Sequence, residues 1–240
     1  MLSGSLGDSR RLRALSRLPS NSEVTWFRRR LRLWFEYNRR DFPWRHSSDP
    51  YVICMSEIFL QQTTARKVSD VIGAFIARFP DWNTLAKAAP AEIETVIYPL
   101  GIYRRRAITV HSLANAVVNL DSLPRTRNGL ENLPGIGQYI ANVLMVALQG
   151  KRVPFLDVNM ARVLERFFGP RELADIRYDP YLQTLARKVV NASDPLSANW
   201  MILDFAALVC TKNRPRCSNC PLSERCLYNR KSIPRLSHSF

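Results

Sequence analysis

Along most of the chain, hydrophobic residues recur every three to four positions among polar ones, which is the period of amphipathic helices. The period is clear in WFRRRLRLWFEYNRR at 26–40, where Trp26, Leu33 and Phe35 are apolar and arginines fill much of the rest. It predicts two helices within 51–79, two short ones within 81–100, one at 104–120, a helix–turn–helix at 130–148, one at 157–169, and two more in DPYLQTLARKVV and NWMILDFAALVC. No segment shows convincing strand alternation. The pattern therefore predicts an all-α fold.

Individual residues predict where some of these helices begin and end. Asp157 is a favourable N-cap for the helix at 157–169, and Gly169 is a favourable residue at its end. Pro90 marks the start of the second short helix, because proline is tolerated in the first helical turn.

Composition narrows the class of protein. The chain has 240 residues, of which 46% are hydrophobic, and its formal net charge is +15. This length supports a substantial core in one domain or two closely joined lobes. So basic a chain indicates a polyanionic partner, with nucleic acid as the first expectation. A ribosome-bound or membrane-surface protein is the alternative that charge alone leaves open. No apolar run approaches the roughly 20 residues needed to span a bilayer.

The segment 1–21, which begins MLSGSLGDSRRLRALSRLPS, is rich in arginine and serine and holds one acidic residue before Glu23. We expect a basic, disordered arm that contacts phosphates or stays solvated. A mitochondrial transit peptide is the alternative. The first interpretation predicts a cytoplasmic protein associated with the nucleoid.

Four of the five cysteines crowd the C-terminal part with the spacing C-x6-C-x2-C-x5-C: Cys210, Cys217, Cys220 and Cys226. The fifth, Cys54, lies in an apolar helical segment and is expected to be buried. Disulfides are disfavoured because no secretory signal is visible. Four thiolates this close can hold zinc or a [4Fe–4S] cluster. The single x2 pair favours the larger cluster.

LPGIG, at 133–137, predicts a tight turn between two helices. Gly135 and Gly137 lack a Cβ, so a sugar–phosphate backbone can approach closely. The helix that follows offers free N–H groups and the positive end of its dipole to a phosphate. An ordinary turn between two helices is the alternative.

Three motifs in this order, LPGIG, an aspartate 20 residues beyond Gly137, and the cysteine tail, resemble the helix-hairpin-helix DNA glycosylase superfamily in its iron–sulfur branch. The resemblance covers about 26–226. It implies a two-lobed helical fold with a six-helix barrel at 43–151 that carries the hairpin. The second lobe would combine 22–42 with 152–240 and hold a [4Fe–4S] cluster in the loop 210–226.

The resemblance also implies a chemistry. Such enzymes flip a nucleotide out of the duplex and cleave its glycosidic bond through a cation-like sugar. Asp157 matches the family aspartate that stabilises or bonds that cation or orients the nucleophile, although it could serve only as an N-cap. Tyr139 occupies the slot of a lysine that forms a Schiff base in bifunctional members. A phenol cannot form that imine, so a monofunctional enzyme is expected. Tyrosine there is similar to the thymine mismatch glycosylases; a plain helix-facing aromatic is the alternative.

Other positions match family residues in turn. Glu57, in an apolar setting that raises a carboxyl pKa, matches a glutamate that protonates the leaving base or activates water. Asn159 matches a pocket asparagine. Gln61 and Ile102 match residues that enter the gap left by the flipped base, although both could instead be core residues. The resemblance implies that the hairpin contacts the DNA backbone through Leu133, Gly135, Gly137 and Gln138.

The sequence therefore predicts a monofunctional DNA glycosylase that removes thymine or uracil opposite guanine, as a monomer on double-stranded DNA, with an AP endonuclease acting on its product. One alternative is an adenine glycosylase without the C-terminal domain that reads 8-oxoguanine, since 14 residues follow Cys226. The pair Gln61–Gln62 looks more like the adenine group. Two further alternatives are a DNA-binding module with a decayed site and a zinc-binding helical adaptor.

Overall fold

The structure is a computed structural model that describes residue 12 and residues 14–232. The described residues are helical and contain no strand, which confirms the predicted all-α class. The helices are α1 (Asn21–Asn38), α2 (Pro50–Leu60), α3 (Ala65–Arg78), α4 (Trp82–Lys87), α5 (Pro90–Ile97), α6 (Tyr103–Asn119), α7 (Arg127–Glu131), α8 (Gln138–Gln149), α9 (Val158–Phe168), α10 (Pro180–Val190), α11 (Pro195–Leu208) and α12 (Leu227–Ser232).

Helix α1 begins earlier than the predicted range of 26–40. Ser20 accepts a hydrogen bond from the Glu23 backbone N–H, and the Glu23 carboxylate accepts one from the Ser20 N–H. This reciprocal capping box fixes the first turn at Asn21. The predicted range begins later because Ser20, Asn21 and Ser22 are polar and follow a basic segment, so the apolar period does not mark this start.

The boundaries of α9 agree with prediction. Asp157 is its N-cap, and Gly169, with φ of 122°, is its C-cap. A positive φ is costly for residues with a Cβ, so glycine suits this position. Helix α5 likewise opens at Pro90, as expected.

One compact unit comprises the described residues up to Arg40 together with those from Arg152 onward. Helix α11 packs on α1 and α9, and α12 packs on α9. Phe27 is fully buried against Phe167 and Phe168, with ring centroids 4.9 and 5.0 Å away. The end of α1 is fixed by Arg40, whose Nε donates to the buried Asp204 carboxylate at 2.7 Å.

The second unit runs from Asp41 to Lys151. Helix α6 packs on α4 and α5, and α2 packs on α3, α6 and α8. Phe59, Phe75 and Phe79 form the aromatic centre of its core. The Tyr51 hydroxyl donates to the Phe79 carbonyl oxygen at 2.7 Å, which ties α2 to the end of α3.

Most of the predicted basic arm at 1–21 lies outside the described residues. Within its described part, Ala14 is buried, and the Arg17 guanidinium donates to the Glu172 carboxylate and to the Pro170 carbonyl oxygen. Among the described helices, none is both long enough and apolar enough to cross a membrane.

Candidate functional site

The turn between α7 and α8 uses its two glycines differently. Gly135 has a φ of 77°, and a Cβ built there would lie 2.5 Å from the Thr109 side chain, so the fold itself requires this glycine. Gly137 has an ordinary negative φ, and a Cβ there would meet nothing within 4 Å. Leu133 and Ile136 are buried and anchor the turn. Gly137 therefore leaves open space at the start of α8, where the helix dipole is positive.

Gln61 and Ile102 stand at the surface of the same unit. Gln61 is exposed and Ile102 is 55% exposed, so the alternative that they are core residues is wrong. The Gln61 side-chain Nε2 donates to the Gly135 carbonyl oxygen at 3.3 Å. A cavity of about 420 Å³ is lined by all three residues. The structure thus brings the two candidate wedge residues to one face of the glycine turn.

Glu57 and Tyr139 lie on two helices that pack against each other. Glu57 is 6% exposed on α2, among fully buried apolar residues such as Cys54 and Phe59. Its expected apolar setting is therefore observed. Tyr139 is half-buried in the first turn of α8, which packs on α2. Gln138, the first residue of α8, is half-buried beside it.

Asp157 has the hydrogen bonds of an N-cap and further ones. Its carboxylate accepts the backbone N–H groups of Asn159 and Met160 at 3.0 and 2.7 Å, and the Asn159 side-chain Nδ2 donates to it at 2.6 Å. Burial raises the pKa of Asp157 above its ordinary value of 3.8, and these hydrogen bonds oppose the rise. The carboxylate is thus held in one orientation by three donors.

Arg162, one turn further along α9, was not predicted from the sequence. Its Nη1 donates to the Asn159 side-chain oxygen at 3.0 Å, its Nε to the Cys210 carbonyl oxygen at 2.8 Å and its Nη2 to the Ala206 carbonyl oxygen at 3.0 Å. The Asn159 amide is therefore oriented from both sides. The i, i+3 spacing of 159 and 162 was the local signal that could have found the pair.

The four cysteines of the C-terminal loop lie around one cavity. All five cysteines are free, and Cys210, Cys217, Cys220 and Cys226 line one small, largely apolar cavity. Burial raises the pKa of Cys220 to about 11 and, to a smaller extent, that of Cys217. In the described residues no three His, Cys, Asp or Glu side chains converge as they would around a single metal ion. Cys54 is buried in the other unit, as expected.

Arg166, also missed from the sequence, holds the start of this loop. Its guanidinium donates to the carbonyl oxygens of Thr211 and Lys212 at 2.7 and 2.8 Å and lies 3.4 Å from the Cys210 Sγ. Its own carbonyl oxygen accepts from the Cys226 thiol at 3.3 Å. The first and last cysteines are thus tied to α9.

A helical chain with a glycine turn between two helices and a hydrogen-bonded aspartate at the start of a later helix is of the helix-hairpin-helix class. A comparison of the chain with protein families identifies the superfamily. Residues 55–178 match the model of the HhH-GPD superfamily of base excision DNA repair proteins. The chain belongs to that superfamily.

Individual relatives extend the likeness over most of the chain. It is 38% identical to a thymine-DNA glycosylase of Aeropyrum pernix, over 84% of this chain and 93% of that protein. It is 35% identical to a thymine/uracil-DNA glycosylase of Pyrobaculum aerophilum, over 89% of this chain and 96% of that protein. A solved structure of a thermostable thymine-DNA glycosylase aligns with a TM-score of 0.83 at 32% identity, covering 88% of this chain and 98% of that one.

Proposed function

We propose that this chain is a monofunctional DNA glycosylase that hydrolyses the N-glycosidic bond of thymine or uracil mispaired with guanine. The observation that carries the proposal is the likeness to thymine- and thymine/uracil-DNA glycosylases over at least 93% of their length. A mispaired thymine is easier to extrude than a paired one, which contributes to selectivity. The same chemistry would act on the products of cytosine and 5-methylcytosine deamination.

Asp157 is the residue that we assign to the sugar. As the bond to the base breaks, positive charge develops on the sugar ring, and a fixed carboxylate stabilises it without reorganising. The hydrogen bonds from Asn159 and Met160 support this role, because they hold the carboxylate in place before the reaction.

Glu57 is the residue that we assign to the base or to the attacking water. A leaving base departs more readily when it is protonated, and a carboxyl group positioned beside it can act as the general acid. The burial of Glu57 on α2 supports this role.

Gly135, Gly137 and the start of α8 are the elements that we assign to the DNA backbone. The open space at Gly137 admits a phosphate near the positive end of the helix. Contacts to the phosphates do not depend on the base sequence, so specificity must come from the extruded base and its former partner. Gln61 and Ile102, exposed beside the turn, would fill the gap in the duplex.

We also propose that Cys210, Cys217, Cys220 and Cys226 hold a [4Fe–4S] cluster. The four residues line a shared cavity, as the ligands of a multi-iron cluster would. When bound, the cluster would fix the loop that Arg166 and Arg162 hold against α9. Iron analysis should give about four iron atoms per chain; stoichiometric zinc instead would contradict the assignment.

The substrate is tested with duplexes that carry T·G, U·G, A·G or A·8-oxoguanine, with the released base and strand breaks scored separately. We expect release of thymine and uracil without strand breaks. Release of adenine alone would overturn the proposed substrate in favour of an adenine glycosylase. No release from any duplex would overturn the activity.

The monofunctional assignment is tested by borohydride trapping. The Tyr139 phenol cannot form an imine with the sugar, so the wild-type chain should give no covalent complex with DNA. Tyr139→Lys supplies an amine at the same position and should give a trapped complex. Strong trapping by the wild type would contradict this assignment while leaving base release untouched.

A further inference from the structure

Arg106 is a buried cation whose position the proposed chemistry does not explain. It lies on α6 and is 7% exposed, and burial lowers the pKa of its guanidinium. Among the described residues its hydrogen bonds go only to neutral oxygen atoms, and its Nη1 is buried with no hydrogen-bond partner. Burying a charge and an unpaired donor costs stability.

The hydrogen bonds that Arg106 does make converge on one loop. Its Nη2 donates to the Gln61 carbonyl oxygen at 2.7 Å and to the Thr63 hydroxyl at 3.1 Å. The Thr63 hydroxyl lies 3.3 Å from the Leu100 carbonyl oxygen and 3.4 Å from the Gln61 carbonyl oxygen and can donate to either. One guanidinium nitrogen therefore fastens the loop after α2 to the segment that leads into Ile102.

The two fastened segments are the strained parts of this surface. Gln62 and Ile102 have φ values of 56° and 51°, although neither is glycine. For a β-branched residue such as Ile102 the left-handed region is a true outlier, and it persists only when the surroundings enforce it. The cavity of about 420 Å³ lies here and is lined by Arg106 together with Gln62 and Ile102.

We propose that Arg106 is a positioning residue for nucleotide extrusion. It holds the Gln61 and Ile102 backbones in the conformation from which their side chains enter the duplex as the target nucleotide leaves. The inference rests on the proposed function, since it concerns the same reaction. It assigns to Arg106 a task in extrusion that the bond-breaking step does not supply.

The test uses Arg106→Met, which keeps the length of the side chain and removes its donors. Extrusion is followed by the fluorescence of 2-aminopurine placed beside a 2′-fluorinated thymidine opposite guanine, a nucleotide that resists cleavage. Excision is followed under single-turnover conditions on an ordinary T·G duplex. We expect a much smaller fluorescence rise and an excision rate about 10- to 100-fold lower, with duplex affinity little changed and Tm unchanged or higher.

Three further variants separate positioning from other roles. Arg106→Lys retains a donor for the loop and should recover part of both signals. Arg104→Met removes a neighbouring, exposed arginine of α6, whose only ion pair is a 3.9 Å contact with Glu94 among the described residues, and should retain the wild-type fluorescence rise. Thr63→Val removes the hydroxyl that links the two segments and should reduce the signal, which tests the same link even where Arg106→Met lowers Tm.

The outcomes discriminate between the two proposals. A full fluorescence rise and a wild-type rate in both Arg106→Met and Thr63→Val would overturn the positioning role and leave the glycosylase assignment standing. Equal losses in Arg106→Met and Arg104→Met would overturn it too, because they would trace the effect to net charge. A wild-type chain that releases no base would overturn the proposed function, and this inference with it.

Discussion

Asp157 and Glu57 carry the same chemical group in contrasting surroundings. Asp157 stands at the start of α9, where two backbone N–H groups and the Asn159 amide donate to it. Glu57 lies within α2, where its neighbours along the helix are buried and largely apolar. Three donors hold the Asp157 carboxylate in one orientation, although burial raises its pKa, whereas Glu57 lies in an apolar setting within its helix. The difference teaches that the two carboxyl groups are not interchangeable, although each is on a helix and largely shielded from water.

The largest effect is expected when the fixed anion is neutralised. Asp157→Asn keeps a good N-cap residue but removes the charge that would stabilise the sugar cation. Single-turnover excision should fall by roughly 10⁴-fold, while duplex affinity changes little. Asp81→Asn makes the same change at the N-cap of α4 and is the matched control. Normal excision by Asp157→Asn would reduce Asp157 to a capping residue.

A smaller loss is expected from a change at Glu57. Glu57→Gln preserves shape but cannot transfer a proton, so excision should fall by about 10²- to 10³-fold. Tm should change little, because the amide has nearly the same shape as the carboxyl group that it replaces. Glu36→Gln, on the exposed face of α1, is the control. A rate equal to that of wild type would assign Glu57 to the core of its unit.

Much of this contrast could be predicted from the sequence, since it depends on local signals. Asp157 precedes an amphipathic segment, and Glu57 is followed by Ile58, Phe59 and Leu60. Arg106 could not be assigned in this way, because its acceptors lie 45 and 43 residues away in the chain. For Arg162 only the bond to Asn159 is local, since its other two acceptors lie 48 and 44 residues away. The positive φ of Ile102 could not be predicted either, because isoleucine rarely adopts it. The fold class and the carboxylates are thus local information, and the groups that hold them in place are not.

Arg162 orients Asn159 and is only the last-ranked of the groups that favour the Asp157 anion, so its loss should cost less than loss of the anion itself. Arg162→Gln removes the hydrogen bonds to Asn159 and to Cys210, which frees the Asn159 amide to rotate. We expect excision to fall about tenfold, with the Tm of the protein lowered slightly. Arg177→Gln, at an exposed site in the same unit, is the control. A loss as large as that of Asp157→Asn would show that orientation and charge are inseparable at this site.

The smallest effect is a dependence on pH. Burial raises the pKa of Asp157 above 3.8, so the excision rate should decline as pH falls through that raised value, because the anion is protonated. The native state binds this proton more tightly than the unfolded chain does. Its contribution to stability is therefore present at low pH and is lost as pH rises through the folded pKa. The Tm of wild type minus that of Asp157→Asn should increase as pH falls; the opposite trend would indicate a lowered pKa.

The two glycines of the hairpin turn have different consequences for how altered chains would fare in a cell. An alanine at Gly135 would collide with Thr109 and strain the backbone, so chaperones and proteases would find and remove much of the product. The Cβ of an alanine at Gly137 would have no atom within 4 Å, so this variant should fold normally and resist degradation. On the proposed role, such a chain would accumulate at normal abundance while gripping DNA poorly. The cellular abundance of the protein would therefore fall for a substitution at Gly135 and stay normal for one at Gly137.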